Sequence, residues 1–207
     1  MQPLHVLSAG LVPPLCAACG RSCRREAVIC TRCRRRLAAA EPLTGLGAAG
    51  LDRAWSSASH EGVARQLVAA LKFRRLLPVA GLIADRIEWL APASVLSGTI
   101  VPVPTATART LQRGFDPAVE IATALAERTE LPSRPCLARV GGTRQVGKRR
   151  GRRIGHPPRF RLAGEAPRSV VLVDDVLTTG ATLAACARLL RDAGAVRVVA
   201  VTFTRRL

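Results

Sequence analysis

Apolar side chains along residues 61–73 recur at Ala64, Leu67, Val68 and Leu71, the three- and four-residue spacing that keeps them on one side of a helix. After Pro78 the same spacing places Ile83, Ile87 and Leu90 on a second helix over 77–90. A third runs from 116 to about 127, with Asp116 as its cap and Pro117 in its first turn. Shorter apolar runs at 51–57, 99–104 and 135–140 read as strands, the second stiffened at its end by Pro102 and Pro104. The clearest pattern closes the chain: a strand at 169–173, a helix over 181–192 stopped by Gly194, and a valine-rich strand at 196–204. Strand, helix and strand in that order make the βαβ unit of an open parallel sheet. Cys136 and Cys186 fall among apolar neighbours and are expected to pack there.

Between these elements two stretches break the pattern. Residues 42–50, rich in Gly and Ala, read as a linker or loop. From Arg139 to Arg161 there are nine basic residues and no acidic one, with five glycines interspersed. That stretch is unfit for a core and predicts a solvent-facing loop, ordered only by an anion. Lys72, Arg74 and Arg75 crowd the end of the 61–73 helix, where positive charge suits the helix dipole, and read as a solvated helix end.

Charge and composition narrow the partners. The net charge of +18, almost all of it arginine, attracts phosphate-bearing molecules without choosing between a polymer and a small metabolite. With 3% aromatic residues and no Tyr, stacking platforms for single-stranded nucleic acid are poorly supplied. No run approaches the roughly 20 apolar residues of a membrane span, and residues 1–14 lack the basic start of a secretory signal. A cytoplasmic location is the expectation, and in a reducing compartment paired cysteines favour metal over disulfides.

Four of the seven cysteines form two such pairs, Cys16 with Cys19 and Cys30 with Cys33. Each two-residue gap lets both thiolates reach one ion, and two matched pairs read as a structural tetrahedral zinc site. Free thiols on an arm, or a redox centre, are the alternatives; no strand precedes either pair, which disfavours the second. Seven surrounding arginines favour the thiolates, and metal binding would supply the folding energy that so short and basic a segment lacks. Cys23 stands outside the regular spacing and is left out of the set. The expected organisation is a small zinc-binding module over 1–40 and an α/β domain over 51–207.

Asp174 and Asp175 directly follow the 169–173 strand. Adjacent carboxylates there are costly unless they face a ligand or a cation, and the carboxyl ends of parallel strands are where such ligands lie. Thr178, Thr179, Gly180, Ala181 and Thr182 then lead into a helix, converging backbone N–H groups and hydroxyls into an anion cradle. Gly180 lets a phosphate approach the backbone closely. The pattern is neither the nucleotide P-loop nor the dinucleotide fingerprint. Acceptors opposite hydroxyls and donors opposite a phosphate suit a sugar phosphate.

Residues 170–182 (VVLVDDVLTTGAT) resemble the signature with which type I phosphoribosyltransferases hold phosphoribosyl pyrophosphate. The resemblance implies a parallel sheet flanked by helices, with Asp174 and Asp175 on the ribose hydroxyls, residues 178–182 on the 5-phosphate, and magnesium bridging pyrophosphate and ribose. It extends to the ComF family of competence-associated proteins, which join a cysteine zinc module to such a domain. The supporting positions are Cys16, Cys19, Cys30 and Cys33; Lys72 and Phe73; Val101 to Pro104; Arg109; Arg113, Gly114 and Phe115; Arg139, Thr143 and Gln145. Asp116 stands where that family usually has Asn, the basic run from Lys148 to Arg152 where it has a partly acidic stretch, and His156 where it has Asn; Arg153 matches. The likeness implies transfer of a 5-phosphoribosyl group to an unidentified acceptor with loss of pyrophosphate, Arg109, Arg113, Arg153 and magnesium stabilising the leaving charge. A non-catalytic binding module, and a DNA-uptake role in which the zinc module and basic loop contact nucleic acid or partner proteins, are the alternatives.

Overall fold

The computed structural model describes residues 14–46, 49–140 and 159–206. Chain order is α1 (Thr31–Ala38), β1 (Leu43–Leu46), β2 (Arg53–Ser59), α2 (Gly62–Arg74), α3 (Pro78–Leu90), β3 (Thr99–Pro102), α4 (Thr107–Arg113), α5 (Pro117–Thr129), β4 (Leu137–Val140), β5 (Arg159–Leu162), β6 (Ser169–Leu177), α6 (Ala181–Asp192) and β7 (Arg197–Arg205). Five strands form one sheet in the order β1-β2-β7-β6-β3, and β4 pairs with β5 in a separate hairpin. All neighbours in the main sheet are parallel except β1 on β2.

Period-two alternation sorts the strand side chains between two cores. Val171, Val173, Val199, Val201 and Phe203 join one buried cluster with α2, α3 and α5. Their neighbours Val170, Leu172, Val198 and Ala200 join another with α6 and Leu137 of β4. The sheet is thus covered on both faces, as a parallel sheet requires.

Several elements depart from the sequence reading. Residues 42–50 carry β1, an edge strand whose register runs from Leu43 opposite Ser56 to Leu46 opposite Arg53; a four-residue edge strand leaves little periodic signal. Helix α1 hides among arginines because only Cys33 and Leu37, one turn apart, are buried. Part of the expected basic loop is β5, held by β4 in antiparallel register. The rest of that segment, with Thr143, Gln145 and Arg153, lies outside the described residues. Strand β6 continues past Val173 to Leu177, because β7 keeps pairing with it as far as Arg205.

The cysteine-bearing segment does not stand apart. Cys16, Ala17, Ile29, Cys33 and Leu37 share the buried cluster of α2 and α3. Two arginines fasten it: Arg74 donates to the Ala17 carbonyl, and Arg86 donates to Ala40 O at 2.6 Å and to Ser57 O at 2.9 Å. Arg86 is 8% exposed, so its guanidinium ties the end of the cysteine segment to β2 in the interior. Replacing it by Met leaves both carbonyls without that donor, and a buried unpaired acceptor costs about 1–3 kcal/mol. Arg86→Met is expected to lower the urea midpoint with an unchanged slope; an unmoved midpoint would show that the clamp contributes nothing.

Candidate functional site

The parallel strands β2, β7, β6 and β3 end at one edge of the sheet, and the chemistry-bearing side chains collect there. After Leu177, the chain turns through the exposed Thr178 and Thr179 into Gly180, whose φ of 74° and ψ of −4° lie in the left-handed region. Only glycine adopts that conformation without strain, and it aims the first turn of α6 back toward β6. The first-turn bond runs from Ala184 N to Gly180 O at 2.8 Å, so the N–H groups before it have no helical partner. Thr179 Oγ1 accepts only a long 3.4 Å bond from Ala181 N, and no acid occupies the first turn. Donors and the positive end of the helix dipole are thus free for an anion. A small recess, open to solvent, is bounded by Asp174, Thr178, Gly180 and Thr182.

Period two also divides the two acids. Asp174 follows Val170 and Leu172 onto the α6 face and borders the recess. Asp175 follows Val171 and Val173 onto the opposite face, is 5% exposed, and its Oδ2 lies 2.5 Å from Lys72 Nζ. Lys72, expected as part of a solvated helix end, instead turns inward from the last turn of α2. The reason is electrostatic: a carboxylate this deeply buried draws the nearest cation.

The acids remain coupled through the backbone, with Asp175 N donating to Asp174 Oδ1 at 2.8 Å. Burial, and then the charge of Asp175, push the Asp174 carboxyl well above its ordinary range, against the opposing pull of that N–H bond and of Lys72. Around Asp175, Thr204 Oγ1 donates to its carbonyl at 3.4 Å and also bonds His60 Nδ1 at 2.8 Å. Burial, and then Arg206 and Lys72, hold His60 below its ordinary value, so it favours the neutral form. The position of His60, just beyond β2, shows no motif in the sequence. The pairing of Lys72 with Asp175 was accessible only through strand parity.

Asp116, where the resembled family usually has Asn, accepts from Ala118 N at 3.1 Å and from Thr105 N and Oγ1, each at 2.8 Å. It caps α5 and ties down the loop after β3 together, using both carboxylate oxygens as acceptors, which an amide cannot do. Arg113 lies 5.4 Å from the ring centre of Phe73, joining α4 to the end of α2. Arg109 falls within α4, and its side chain lies outside the described residues.

At the other site, one sulfur from each of Cys16, Cys19, Cys30 and Cys33 lies within 4.8 Å of the others. Cys19 Sγ and Cys30 Sγ are 3.8 Å apart, close to the edge of a tetrahedron with metal–sulfur distances of about 2.3 Å. Burial raises the Cys16 thiol, yet N–H donors from Cys19, Cys30 and Ala18 outweigh it and bring its pKa to about 6. Four such donors suit a zinc ion. Cys23 points elsewhere, its Sγ donating to Ala27 O at 3.3 Å and Pro14 O at 3.5 Å. Cys136 and Cys186 are buried in the α6-side core as expected, and burial pushes the Cys186 thiol up to about 12.

Comparison with known proteins adds one positive finding. The family model of the phosphoribosyl transferase domain matches residues 110–207, from within α4 to the end of the chain. The match includes Asp174, the turn and α6, and supports a phosphoribosyltransferase-like function. No protein with a curated description matches the chain. Among the described residues no helix is long and apolar enough to cross a membrane.

The raised Asp174 carboxyl sets a pH dependence. Its folded pKa exceeds the unfolded value of about 3.9, so its contribution to stability is complete below that value and is lost as pH rises through the folded pKa. Asp174→Asn keeps the neutral form at every pH. The variant's stability relative to wild type should therefore rise between pH 4 and pH 8, read as the difference in urea midpoints. A difference independent of pH would contradict the shift.

Proposed function

We propose that this chain binds phosphoribosyl pyrophosphate at the edge formed by β6 and α6, and transfers its 5-phosphoribosyl group to a nucleophilic acceptor with release of pyrophosphate. The observation carrying this reading is the convergence, within the matched segment, of an acid at a sheet edge and a helix N-terminus free of acids on one recess. N–H groups and hydroxyls of residues 178–182 take the 5-phosphate. Asp174 accepts from a ribose hydroxyl, and Asp175 buttresses it. In the transfer, the bond from ribose C1 to the pyrophosphate oxygen breaks, the electron pair leaves with pyrophosphate, and the acceptor's lone pair forms the new bond. Arg109 and Arg153 are assigned to the leaving pyrophosphate. Magnesium bound with the substrate would supply further charge neutralisation, and Asp174 is the carboxylate at the recess that would complement it.

The same reading places the chain in the ComF family, on the joining of the four-cysteine cluster to this domain. Competence and DNA uptake are the process that likeness implies. Cys16, Cys19, Cys30 and Cys33 hold one structural zinc ion. The cytoplasm suits it, since in a reducing compartment paired cysteines favour metal over disulfides.

Two measurements test this. Calorimetry with magnesium should show saturable binding of phosphoribosyl pyrophosphate by wild type, and Asp174→Asn should weaken it tenfold or more, one charge-assisted hydrogen bond being worth about 1.5–3 kcal/mol. Wild type that fails to bind at low salt would sink the proposal, and titration with single-stranded DNA would then test the arginine-rich surface instead. Elemental analysis should find about one zinc per chain. Cys23→Ser should retain that metal and Cys16→Ser should lose it; retention in both would exclude the four-cysteine assignment.

A further inference from the structure

Helix α2 lies outside the matched segment, yet among the described residues it delivers the one salt-bridge partner of Asp175. The Asp175 unit is gripped at three points. Its carboxylate meets Lys72 at 2.5 Å, its carbonyl accepts from Thr204, and its N–H donates to Asp174 Oδ1. Without Lys72 the buried Oδ2 would have no hydrogen-bond partner among the described residues. An uncompensated carboxylate there would be drawn toward water, shifting the end of β6 that carries Asp174. The Thr204 bond is long and its hydroxyl is shared with His60, so beyond the pairing of β6 with β7 it adds only a weak restraint there. His60, held toward its neutral form, supplies no replacement charge.

We propose that Lys72 is a positioning residue of the phosphoribosyl site: by pairing with Asp175 it locks the peptide whose N–H presents the Asp174 carboxylate to the recess. This rests on the function proposed above and extends the site to a helix that the family match leaves out. Lys72 does not contact ligand in this scheme; its ammonium is engaged by Asp175. The helix holds it firmly, because Leu67 and Leu71 of α2 are fully buried in the core beneath the sheet. Its side chain is itself only 23% exposed, so the pair is shielded from water.

The test separates positioning from direct contact with the leaving group. With magnesium present, phosphoribosyl pyrophosphate and ribose 5-phosphate are titrated into wild type, Lys72→Met and Lys72→Gln. A positioning role acts on the ribose end that both ligands share, so both affinities should fall by similar factors, on the order of tenfold. Loss confined to phosphoribosyl pyrophosphate would mean that Lys72 binds the pyrophosphate directly, and would overturn the inference. So would unchanged binding of both. Wild type that binds neither ligand would instead remove the proposed function, and this inference with it. A second measurement stands independently of ligand. In urea unfolding Lys72→Met should be destabilised, and adding Asp175→Asn should restore much of the loss because the orphaned charge is gone. Additive losses would show that the two side chains are not coupled and would overturn the pairing.

Discussion

A carboxylate taken out of water at the end of a parallel strand has to find a counter-charge, and the arrangement around Asp175 follows from that need. β6 runs on beyond its apolar stretch because β7 continues to pair with it, which carries Asp175 onto the face covered by α2. Only a long cationic side chain at the end of that helix reaches it, and Lys72 is so placed. Once Asp175 is neutralised from below, Asp174 alone is left to face the recess. Two adjacent acids thus take different surroundings for a reason as simple as the two-residue repeat of a strand.

The turn proposed as the phosphate cradle depends on the same strand. Leu177 ends the pairing of β6, and the turn through Gly180 reverses the chain so that the first turn of α6 sits beside Asp174. Donors for an anion and an acceptor for a hydroxyl come within one recess. The cost is carried by Asp174, whose carboxyl is held in a setting that favours its neutral form until a ligand or cation arrives.

Much of this was legible in the sequence where apolar spacing was strong. α2, α3, α5 and α6 lie where the periodicity placed them, and Asp116 caps α5 through Ala118 N as its position before Pro117 suggested. The acid pair and the Thr-Thr-Gly turn were visible as residues out of keeping with a buried strand. What the sequence hid were relations between distant elements. Lys72 read as a base at a solvated helix end and as one position of the family resemblance, but its pairing with Asp175 was hidden because that partner lies more than a hundred residues away. His60 carried no pattern, since its role comes from strand ends meeting in space. β1, α1 and β5 are short and owe their form to neighbours, so their own side chains announced little.

Helix α2 is where the two halves of the chain meet. One side of it packs on the sheet through Leu67 and Leu71, and another receives Cys33 and Leu37 of the cysteine segment within the same buried cluster. At its last turn Arg74 reaches the Ala17 carbonyl, two residues from the Lys72 that grips Asp175. Four thiols brought together near Ala17 give the segment its shape, since Cys16 is bonded through its sulfur to the Cys30 backbone and both flank the packed Ala17 and Ile29. The cysteine segment is therefore linked to the edge that carries Asp174 and Asp175 through packing rather than through proximity of chemistry. The cysteine segment packs on α2, and α2 in turn presents the ammonium that pairs with Asp175.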